Sequence, residues 1–417
     1  MRLISHCRMC GSARLEPVLS LGEMAMTGIF PRSAAEMVPV GPLELVQCLV
    51  EPEGSGCGLL QLAHDFDLDL MYGQNYGYRS GLNHAMVRHL QGLVGEIMQR
   101  VHLQPGDLVL DIGGNDGTLL NSYPDHLHRV VVDPTGVKFA PFHPPGVQLI
   151  GDFFSAAVVR RHLGSGVRAR VITAVAMFYD LPAPLAFLQD VRACLAADGL
   201  VVLEMSYMPT MLERLAYDTV CHEHLEYYGL SQIDWLAQRA GLRIVDVALN
   251  DANGGSFRVF LAPVELEVAP TVRVSGLLGR EVTLGLHRLE PYRHFAERVV
   301  RHREQLRELL ERLSREGRMI FGYGASTKGN VLLQYCGVTP HHLPVIAEVN
   351  PDKYGCVTPG THIPIVSEQE ARAMQPDGFL VLPWHFRAFI LQKEEGFLRQ
   401  GGRMILPLPD IEVVTHP

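Results

Sequence analysis

A chain of 417 residues is longer than one hydrophobic core requires, so we expect two or three domains. Hydrophobic residues make up 47% of it, and 45 acidic against 36 basic residues give a net charge of −9, which argues against a nucleic-acid or anionic-membrane surface. Small-molecule partners are therefore favoured. The first residues lack the apolar core of a signal peptide, and no apolar run of about 18 residues follows, so we expect a cytoplasmic protein without a membrane segment.

Two pairs of cysteines stand near the start of the chain. Cys7 and Cys10 form a CxxC, and Cys48 and Cys57 follow in a strand-like, turn-rich segment. Eight cysteines in a chain of this length do not form a disulfide framework, whereas four thiolates in two pairs suit a closed structural zinc site. The second pair is spaced more widely than a usual zinc knuckle, but a flexible insert could be accommodated. We predict zinc, with four ordinary thiols as the alternative.

Residues 70–83 form an aromatic, glycine-rich segment that is too polar for a core. Tyr72, Tyr76 and Tyr78 could offer hydroxyls to a polyhydroxylated substrate, and Arg79 could meet an anionic group. An ordinary connecting loop is the alternative. Apolar residues then recur at spacings of three and four, which predicts an amphipathic helix over residues 82–101.

A cofactor loop follows in the stretch LVLDIGGNDGTL, residues 108–119. A strand, a glycine turn and a helix start place this turn at the carboxyl end of a central strand, where open α/β sheets bind ligands. Gly113 lets backbone approach a ligand closely. About twenty residues later, Asp133 ends the next apolar run and is placed to hold the hydroxyls of a ribose. The turn is not GxGxxG and no P-loop lysine follows, which weakens dinucleotide and P-loop interpretations.

The turn resembles the first motif of class I S-adenosylmethionine-dependent methyltransferases. The resemblance implies that Asp111 lies near the amino-acid end of the cofactor and that Asp152 contacts the adenine. We expect further cofactor contacts from Asn115, Asp116 and Phe153. The alternative is a glycine turn in another kind of α/β protein.

Strand and helix patterns alternate between residues 107 and 263. The Asn-Gly-Gly turn at residues 253–255 predicts a closing hairpin, and the pattern matches the class I methyltransferase sheet, whose last strand is antiparallel. The seven predicted strands are 108–112, 130–133, 147–150, 170–175, 200–205, 243–249 and 257–261. Tyr179 and Asp180 follow the fourth strand, on the expected substrate side.

The chemistry is expected in the segment from Asp218 to Leu230, which holds two histidines, three acids and two tyrosines. His222 and His224 are only two residues apart and cannot share a helix face as zinc ligands. A histidine flanked by Glu223 instead suits an oriented general base. A polar connection whose histidines only cap neighbouring helices is the alternative.

A charged amphipathic helix is predicted over residues 291–315, where it bridges domains. A second strand, glycine turn and helix follow at residues 319–330, and the strands 345–349, 379–382 and 403–406 complete a smaller Rossmann-like sheet. A glycine turn at a helix N-terminus with Lys328 nearby favours an anion such as phosphate. The alternative is a turn that binds nothing.

Together these stretches resemble the sugar C-methyltransferases that act on nucleotide-linked 4-keto-deoxysugars, over nearly the whole chain. The motifs that carry the resemblance are the CxxC, IGGNDGTLL, HEHLEYY, GGSFRVF, GYGASTKGN, NPDKYG and PGTHIPI. The resemblance implies a zinc-binding module over residues 1–70, a methyltransferase domain over 71–265, and a helical bridge with a nucleotide-sugar-binding, Rossmann-like domain over 266–417.

The implied activity is methylation of carbon 3 of a GDP- or dTDP-linked 4-keto-6-deoxyhexose, with S-adenosylmethionine and structural zinc as cofactors. His224 is the implied base and Glu223 its neighbour. His222 is a rival base, and His222 or Tyr76 could donate to the developing oxyanion, with Tyr179 also at the reacting centre. Further expected substrate contacts are Tyr323, Gly324, Ser326, Lys328, Asn330 and His385. We expect a monomer or weak homo-oligomer.

Three departures from the family pattern affect the substrate contacts. Cys221 stands where a tyrosine is common, Tyr179 stands where some members carry histidine, and Trp384-His385 replaces a common Trp-Asn. Two other functions remain open: an oxygen or nitrogen methyltransferase acting on another polar metabolite, and a zinc- and cofactor-binding scaffold without turnover.

Overall fold

The computed structural model describes residues 1–50, 56–67 and 79–416. Tyr72, Tyr76 and Tyr78, predicted to contact substrate, lie outside these residues. The described part of the chain forms sheets of 2, 7, 4 and 6 strands. No helix in that part is long and apolar enough to cross a membrane.

Short antiparallel strands build the N-terminal module. They are β1 (Arg2–Leu3), β2 (Leu15–Ala25), β3 (Val40–Cys48), β4 (Leu60–Leu62) and β5 (His64–Asp65). β1 pairs with β5, while β2, β3 and β4 lie side by side in one sheet. Leu15 pairs with Cys48, and the backbone N–H of Cys48 donates to the carbonyl of Leu59 at 2.9 Å. This register brings the second cysteine pair beside the first.

Helix α1 (His84–Arg100) leads into the central sheet. It begins where the Asn83 side chain accepts hydrogen bonds from the N–H groups of Ala85 and Met86, at 2.9 and 3.4 Å. The buried residues have the predicted helical spacing: Leu90, Leu93, Val94 and Ile97.

A seven-stranded sheet forms the centre of the molecule. Its strands are β6 (Leu108–Ile112), β7 (His128–Val132), β8 (Val147–Ile150), β9 (Ala169–Val175), β10 (Leu195–Ser206), β12 (Leu242–Asn250) and β13 (Ser256–Pro263). They lie in the order β12-β13-β10-β9-β6-β7-β8, and β13 is antiparallel to both neighbours. Every residue of β6 is buried, as expected for a strand covered on both faces. The predicted α/β methyltransferase sheet is confirmed.

The helices of this domain are short. They are α2 (Gly136–Phe139), α3 (Ala156–Leu163), α4 (Pro184–Cys194), α5 (Met208–Glu213) and α6 (Leu230–Arg239). Between α5 and α6, the two-residue strand β11 (Glu226–Tyr227) leaves the central sheet and pairs with β4. The histidine-rich segment is therefore anchored to the N-terminal module.

Two long helices, α7 (Val272–Thr283) and α8 (Glu290–Arg315), precede a C-terminal sheet. The strands of that sheet are β14 (Ile320–Tyr323), β15 (Ile346–Glu348), β16 (Ile365–Ser367), β17 (Gly378–Val381), β18 (Arg403–Leu406) and β19 (Glu412–Thr415). Its remaining helices are α9 (Thr327–Tyr335), α10 (Glu368–Ala373), α11 (Arg387–Lys393) and α12 (Glu395–Arg399). The sequence analysis missed β16, which has three residues, and β19, whose side chains are mostly exposed.

The N- and C-terminal modules share one apolar core, which includes Leu43 and Leu60 from the first and Val331 and Ile346 from the second. Polar contacts join them as well. The Asn330 side chain donates to the carbonyl of Thr27 at 2.8 Å. The two modules therefore pack directly against each other.

Candidate active site

The four N-terminal cysteines form one cluster. The Sγ atoms of Cys7, Cys10, Cys48 and Cys57 all lie within 4.8 Å of one another. A sulfur cluster of this size, with two members buried and two half-buried, is the donor set of a closed tetrahedral zinc site. The wide spacing between Cys48 and Cys57 does not prevent the four sulfurs from converging.

Glycine shapes the turn after β6. Gly113 has φ +69°, and a Cβ on it would lie 2.9 Å from Cγ of Met177. A Cβ on Gly114 would lie 2.5 Å from Oδ2 of Asp111. Both positions therefore require glycine, one for its left-handed backbone and the other for space.

Asp133 ties this turn to the end of β7. One carboxylate oxygen accepts the N–H of Asn115 at 2.7 Å, and the other accepts the N–H and hydroxyl of Thr135 at 2.7 and 2.6 Å. Asp111 is buried beneath the turn and accepts the hydroxyl of Thr173 at 2.5 Å. Burial, together with the charge of Asp133, raises the pKa of Asp111 to about 7.

Asn115 and Asp116 also hold the segment that precedes α1. The side-chain oxygen of Asn115 accepts the N–H of Ser80 at 3.1 Å, and Asp116 accepts that of Gly81 at 2.9 Å. The Arg79 guanidinium lies 3.8 Å over the Phe142 ring, and its Nε is 3.9 Å from Asp116. Asp116 and Arg79 thus position this loop, and neither side chain lines the neighbouring cavity that the glycine turn borders.

A single cavity of about 530 Å³ extends from this turn to the C-terminal module. Its lining includes predicted cofactor, catalytic and substrate residues: Asp111, Gly113, Asn115, Asp133, Phe153, Tyr179, Glu223, His224 and Lys328. Asp152 does not line it; this half-exposed carboxylate lies 3.9 Å from Arg161. A volume of this size matches a small-molecule site.

One ring nitrogen of His224 can act as a base. Its Nδ1 lies 2.8 Å from the carbonyl oxygen of Thr219, which can only accept, so Nδ1 carries the proton and Nε2 is the basic nitrogen. The ring packs edge-on against Tyr179, with 4.4 Å between the centroids. Burial and the positive charge of Lys328 lower the pKa of His224 to about 3. The imidazole is therefore neutral, the form that accepts a proton.

His222 lies elsewhere. Its Nε2 is 3.2 Å from the carbonyl oxygen of Gly41, and its ring packs against Phe66 at 4.8 Å. It does not line the cavity, which corrects the prediction of His222 as rival base or oxyanion donor. Burial lowers the pKa of His222 to about 4. Two residues of separation along an irregular segment turn the two histidines toward different modules.

Glu223 and Cys221 line the cavity beside His224. The thiol of Cys221 donates to Glu223 at 3.5 Å, and burial raises the pKa of the Glu223 carboxyl to about 7. Glu223 forms no hydrogen bond with His224 among the described residues. Thr219, five residues earlier, orients the imidazole instead, a role that the sequence did not indicate.

The C-terminal glycine turn differs from the prediction of a phosphate site. The carboxylate of Glu348 accepts the N–H of Ala325 at 2.6 Å, so a side chain of the protein already uses this backbone donor of the turn. Ser326 caps α9 by accepting the N–H of Gly329 at 3.0 Å, and the Tyr323 hydroxyl donates to Glu394 at 3.0 Å.

The other substrate residues predicted in this module also have partners away from the cavity. Gly324 packs against Pro383, where a Cβ would lie 2.9 Å from the ring, and Asn330 contacts the N-terminal module. His385 lies against Gly254 and Phe386. Lys328 alone of this predicted set lines the cavity, together with Thr327 and the hairpin residue Asn253, which the sequence analysis did not single out.

Comparisons with known proteins agree with this architecture. Residues 7–72 match the family described as "Putative zinc binding domain", residues 86–247 the "Methyltransferase domain", and residues 251–409 the "C-methyltransferase C-terminal domain". The C-methyltransferase NovU of Streptomyces niveus is 33% identical over 418 aligned positions, which cover 100% of this chain and 98% of NovU.

Solved structures match a smaller part of the chain. A S-adenosylmethionine-dependent methyltransferase from Clostridium acetobutylicum is 13% identical, with a TM-score of 0.33, over 42% of this chain and 92% of its own. One from Geobacter sulfurreducens, in complex with S-adenosyl-L-homocysteine, is 14% identical, with a TM-score of 0.32, over 42% and 90%. The full-length relative and the three domain matches show that the chain belongs to the S-adenosylmethionine-dependent C-methyltransferases and has their zinc-binding domain.

Proposed function

We propose that this enzyme methylates carbon 3 of a nucleotide-linked 4-keto-6-deoxyhexose. One observation carries the proposal: the basic nitrogen of His224 belongs to a cavity that also contains the cofactor turn. A sugar carbon next to a ketone attacks a methyl donor as its enolate, so its methylation needs a base that removes the alpha proton. The proposed substrate class is the one that the resemblance to the sugar C-methyltransferases implies, and a candidate base in the same cavity as the cofactor turn supports it.

The cavity fits S-adenosylmethionine, because the glycine turn leaves room for close backbone contact and Asp133 ends the adjacent strand. Bound there, the cofactor supplies an electrophilic methyl group. We propose that Asp133 holds the ribose hydroxyls and that Asp111, Gly113 and Asn115 contact the amino-acid end. Phe153 is proposed at the adenine, and Asp116 acts by positioning the loop. Asp152 stays a prediction for the adenine, although it does not line the described cavity.

His224 is the proposed general base. The hydrogen bond from Nδ1 to Thr219 fixes the tautomer, so that Nε2 takes the alpha proton of the substrate. Glu223 lines the same cavity, and its carboxyl, with a pKa near 7, can ionise in the physiological range to balance the imidazolium charge. Tyr179 packs on the imidazole and lines the cavity, which supports a role in holding His224 against the sugar.

The nucleotide, whether GDP or dTDP, is proposed to lie between the methyltransferase and C-terminal modules. Tyr72, Tyr76, Tyr78 and Arg79 stay predictions for the sugar side. Tyr323, Gly324, Ser326, Asn330 and His385 stay predictions for the nucleotide side, although the contacts of the first four within the protein favour structural roles. The proposed modules are residues 1–70, 71–265 and 266–417 in a monomer or weak homo-oligomer, with zinc on the four N-terminal cysteines.

Incubation with methyl-labelled S-adenosylmethionine and a panel of GDP- and dTDP-linked 4-keto-6-deoxyhexoses tests the function. We expect label on a ring carbon, located by NMR, for at least one sugar. Label on oxygen or nitrogen would replace the proposal with the alternative methyltransferase. Absence of transfer to every sugar, with cofactor bound, would favour the non-catalytic scaffold.

A further inference from the structure

Enolisation is assisted by a hydrogen-bond donor or a cation at the ketone oxygen, in addition to a base at the alpha carbon. Negative charge develops on that oxygen as the proton leaves, and a fixed donor there lowers the barrier. His222 faces Gly41, outside the cavity, and Tyr76 lies outside the described residues. Among the described residues that line the cavity, Lys328 is a further candidate for this task.

Lys328 enters the cavity from the C-terminal module. It is the second residue of α9 and lines the same space as His224, Glu223 and Cys221. The N-terminal end of a helix adds positive potential at this point. Lys328 also affects two histidines electrostatically: its charge lowers the pKa of both His224 and His385. Because Lys328 and His224 line one cavity, both can reach the same substrate.

Among the described residues, one of the ammonium's three donors has a partner and two remain available. Its Nζ donates one hydrogen bond, to the carbonyl oxygen of Asn253 at 2.8 Å. It forms no salt bridge with any carboxylate in the described ranges, and the nearby Asp218 uses one oxygen to accept the indole N–H of Trp384 at 2.8 Å. The Asn253 carbonyl holds the ammonium in place. Burial lowers the pKa of Lys328, and the charge of Asp218 opposes that shift and favours the ammonium form.

The charged side chains that line the described part of the cavity are mostly acidic. Among the described lining residues, the acids are Asp111, Asp133, Asp180 and Glu223, whereas Lys328 is the one lysine or arginine. An enolate oxygen therefore meets one complementary side chain in this part of the cavity, and it is supplied by the C-terminal module.

We propose that Lys328 is a catalytic residue that donates to the keto oxygen of the substrate and stabilises the enolate. The proposal rests on the proposed function. The alpha C–H bond breaks, its proton goes to Nε2 of His224, and its electron pair forms the C=C bond while the carbonyl π pair moves to the oxygen beside Lys328. The enolate carbon then bonds to the methyl group as the methyl–sulfur bond breaks. The oxygen lone pair re-forms the ketone, and S-adenosylhomocysteine leaves.

The test compares Lys328→Met, Lys328→Arg and Lys393→Met in the full-length enzyme. Lys393 is the matched control, because its ammonium pairs with Glu368 in the C-terminal module. Exchange of the alpha proton in deuterated water, with S-adenosylhomocysteine bound, measures enolisation alone. We expect Lys328→Met to lower both exchange and kcat by roughly 10² to 10³, with KM changed much less. Lys328→Arg should restore part of the loss, and Lys393→Met should resemble wild type.

Other outcomes separate the competing explanations. A large rise in KM with kcat and exchange intact would overturn the proposal and make Lys328 a phosphate contact. Thermal unfolding and cofactor affinity of Lys328→Met report whether the fold survives. If either changes, proton exchange in Lys328→Arg becomes the deciding measurement. Recovered exchange supports the proposal, and exchange that stays low counts against it. A wild-type enzyme that neither exchanges nor methylates any keto-sugar overturns the proposed function and this role together.

Discussion

Replacing His224 with asparagine gives the sharpest test of the proposed base. The asparagine side-chain NH₂ reaches roughly the position of imidazole Nδ1, so it can keep the donation to the Thr219 carbonyl while Nε2 is removed. A lost general base lowers turnover by about 10² to 10⁴, or about 2.7 to 5.5 kcal/mol of barrier. The edge-on contact with Tyr179 is lost too, which costs about 0.5 to 1.5 kcal/mol of folding free energy.

The matched control is His222→Gln, because a glutamine NH₂ can reach the position of Nε2 and keep the bond to Gly41. Methyl transfer, alpha-proton exchange and cofactor affinity would be measured on both variants. We expect His224→Asn to lose transfer and exchange in parallel with cofactor affinity nearly intact, and His222→Gln to keep all three. If His224→Asn keeps wild-type turnover and His222→Gln abolishes it, His222 and not His224 is the general base. If neither change matters, the carbon-methylation mechanism fails.

Three further predictions concern metal, cofactor and pH. Purified enzyme should contain about one zinc per chain, and Cys10→Ser should reduce it; less than about half an equivalent, or zinc unchanged in the variant, would refute the site. Asp133→Ala should weaken cofactor binding by roughly 1.5 to 3 kcal/mol in calorimetry, and an unchanged affinity would mean that the cofactor lies elsewhere. The pKa of His222 is lowered from 6.5 to about 4 in the folded protein. The contribution of neutral His222 to folding free energy is therefore fully present above pH 6.5 and is lost as pH falls toward 4, because the unfolded chain takes up the proton first. Wild type should therefore lose up to about 3 kcal/mol more stability over that window than His222→Gln in urea unfolding, and parallel curves would contradict it.

Local sequence patterns predicted the seven strands of the central sheet and the helices α1 and α8. The helix expected after the glycine turn of β6 is instead a short 3-10 helix, Leu120–Ser122. Buried strands such as β6 are continuous apolar runs, and α1 shows its buried face as a spacing of three and four, so both can be read without knowledge of the fold. The cysteine pairs indicated zinc because thiolates in such pairs have few other uses, and the domain match and the sulfur cluster agree. Strand β11 was missed because two residues have no periodicity, and its partner β4 is far away along the chain.

The sequence by itself therefore determined the fold class, the methyltransferase cofactor, the zinc module and the segment that holds the candidate base. Each of these depends on patterns that are local in the chain, such as the CxxC of Cys7 and Cys10 and the glycine turn after β6. Tertiary structure decided which histidine faces the cavity, because that depends on whether Thr219 or Gly41 accepts the ring N–H. At the C-terminal glycine turn, where the sequence predicted a phosphate, tertiary structure placed the carboxylate of Glu348. It also brought Lys328 to the cavity. Contacts between residues far apart in the chain, such as that of His222 with Gly41, are set by packing of the modules, which no local pattern encodes.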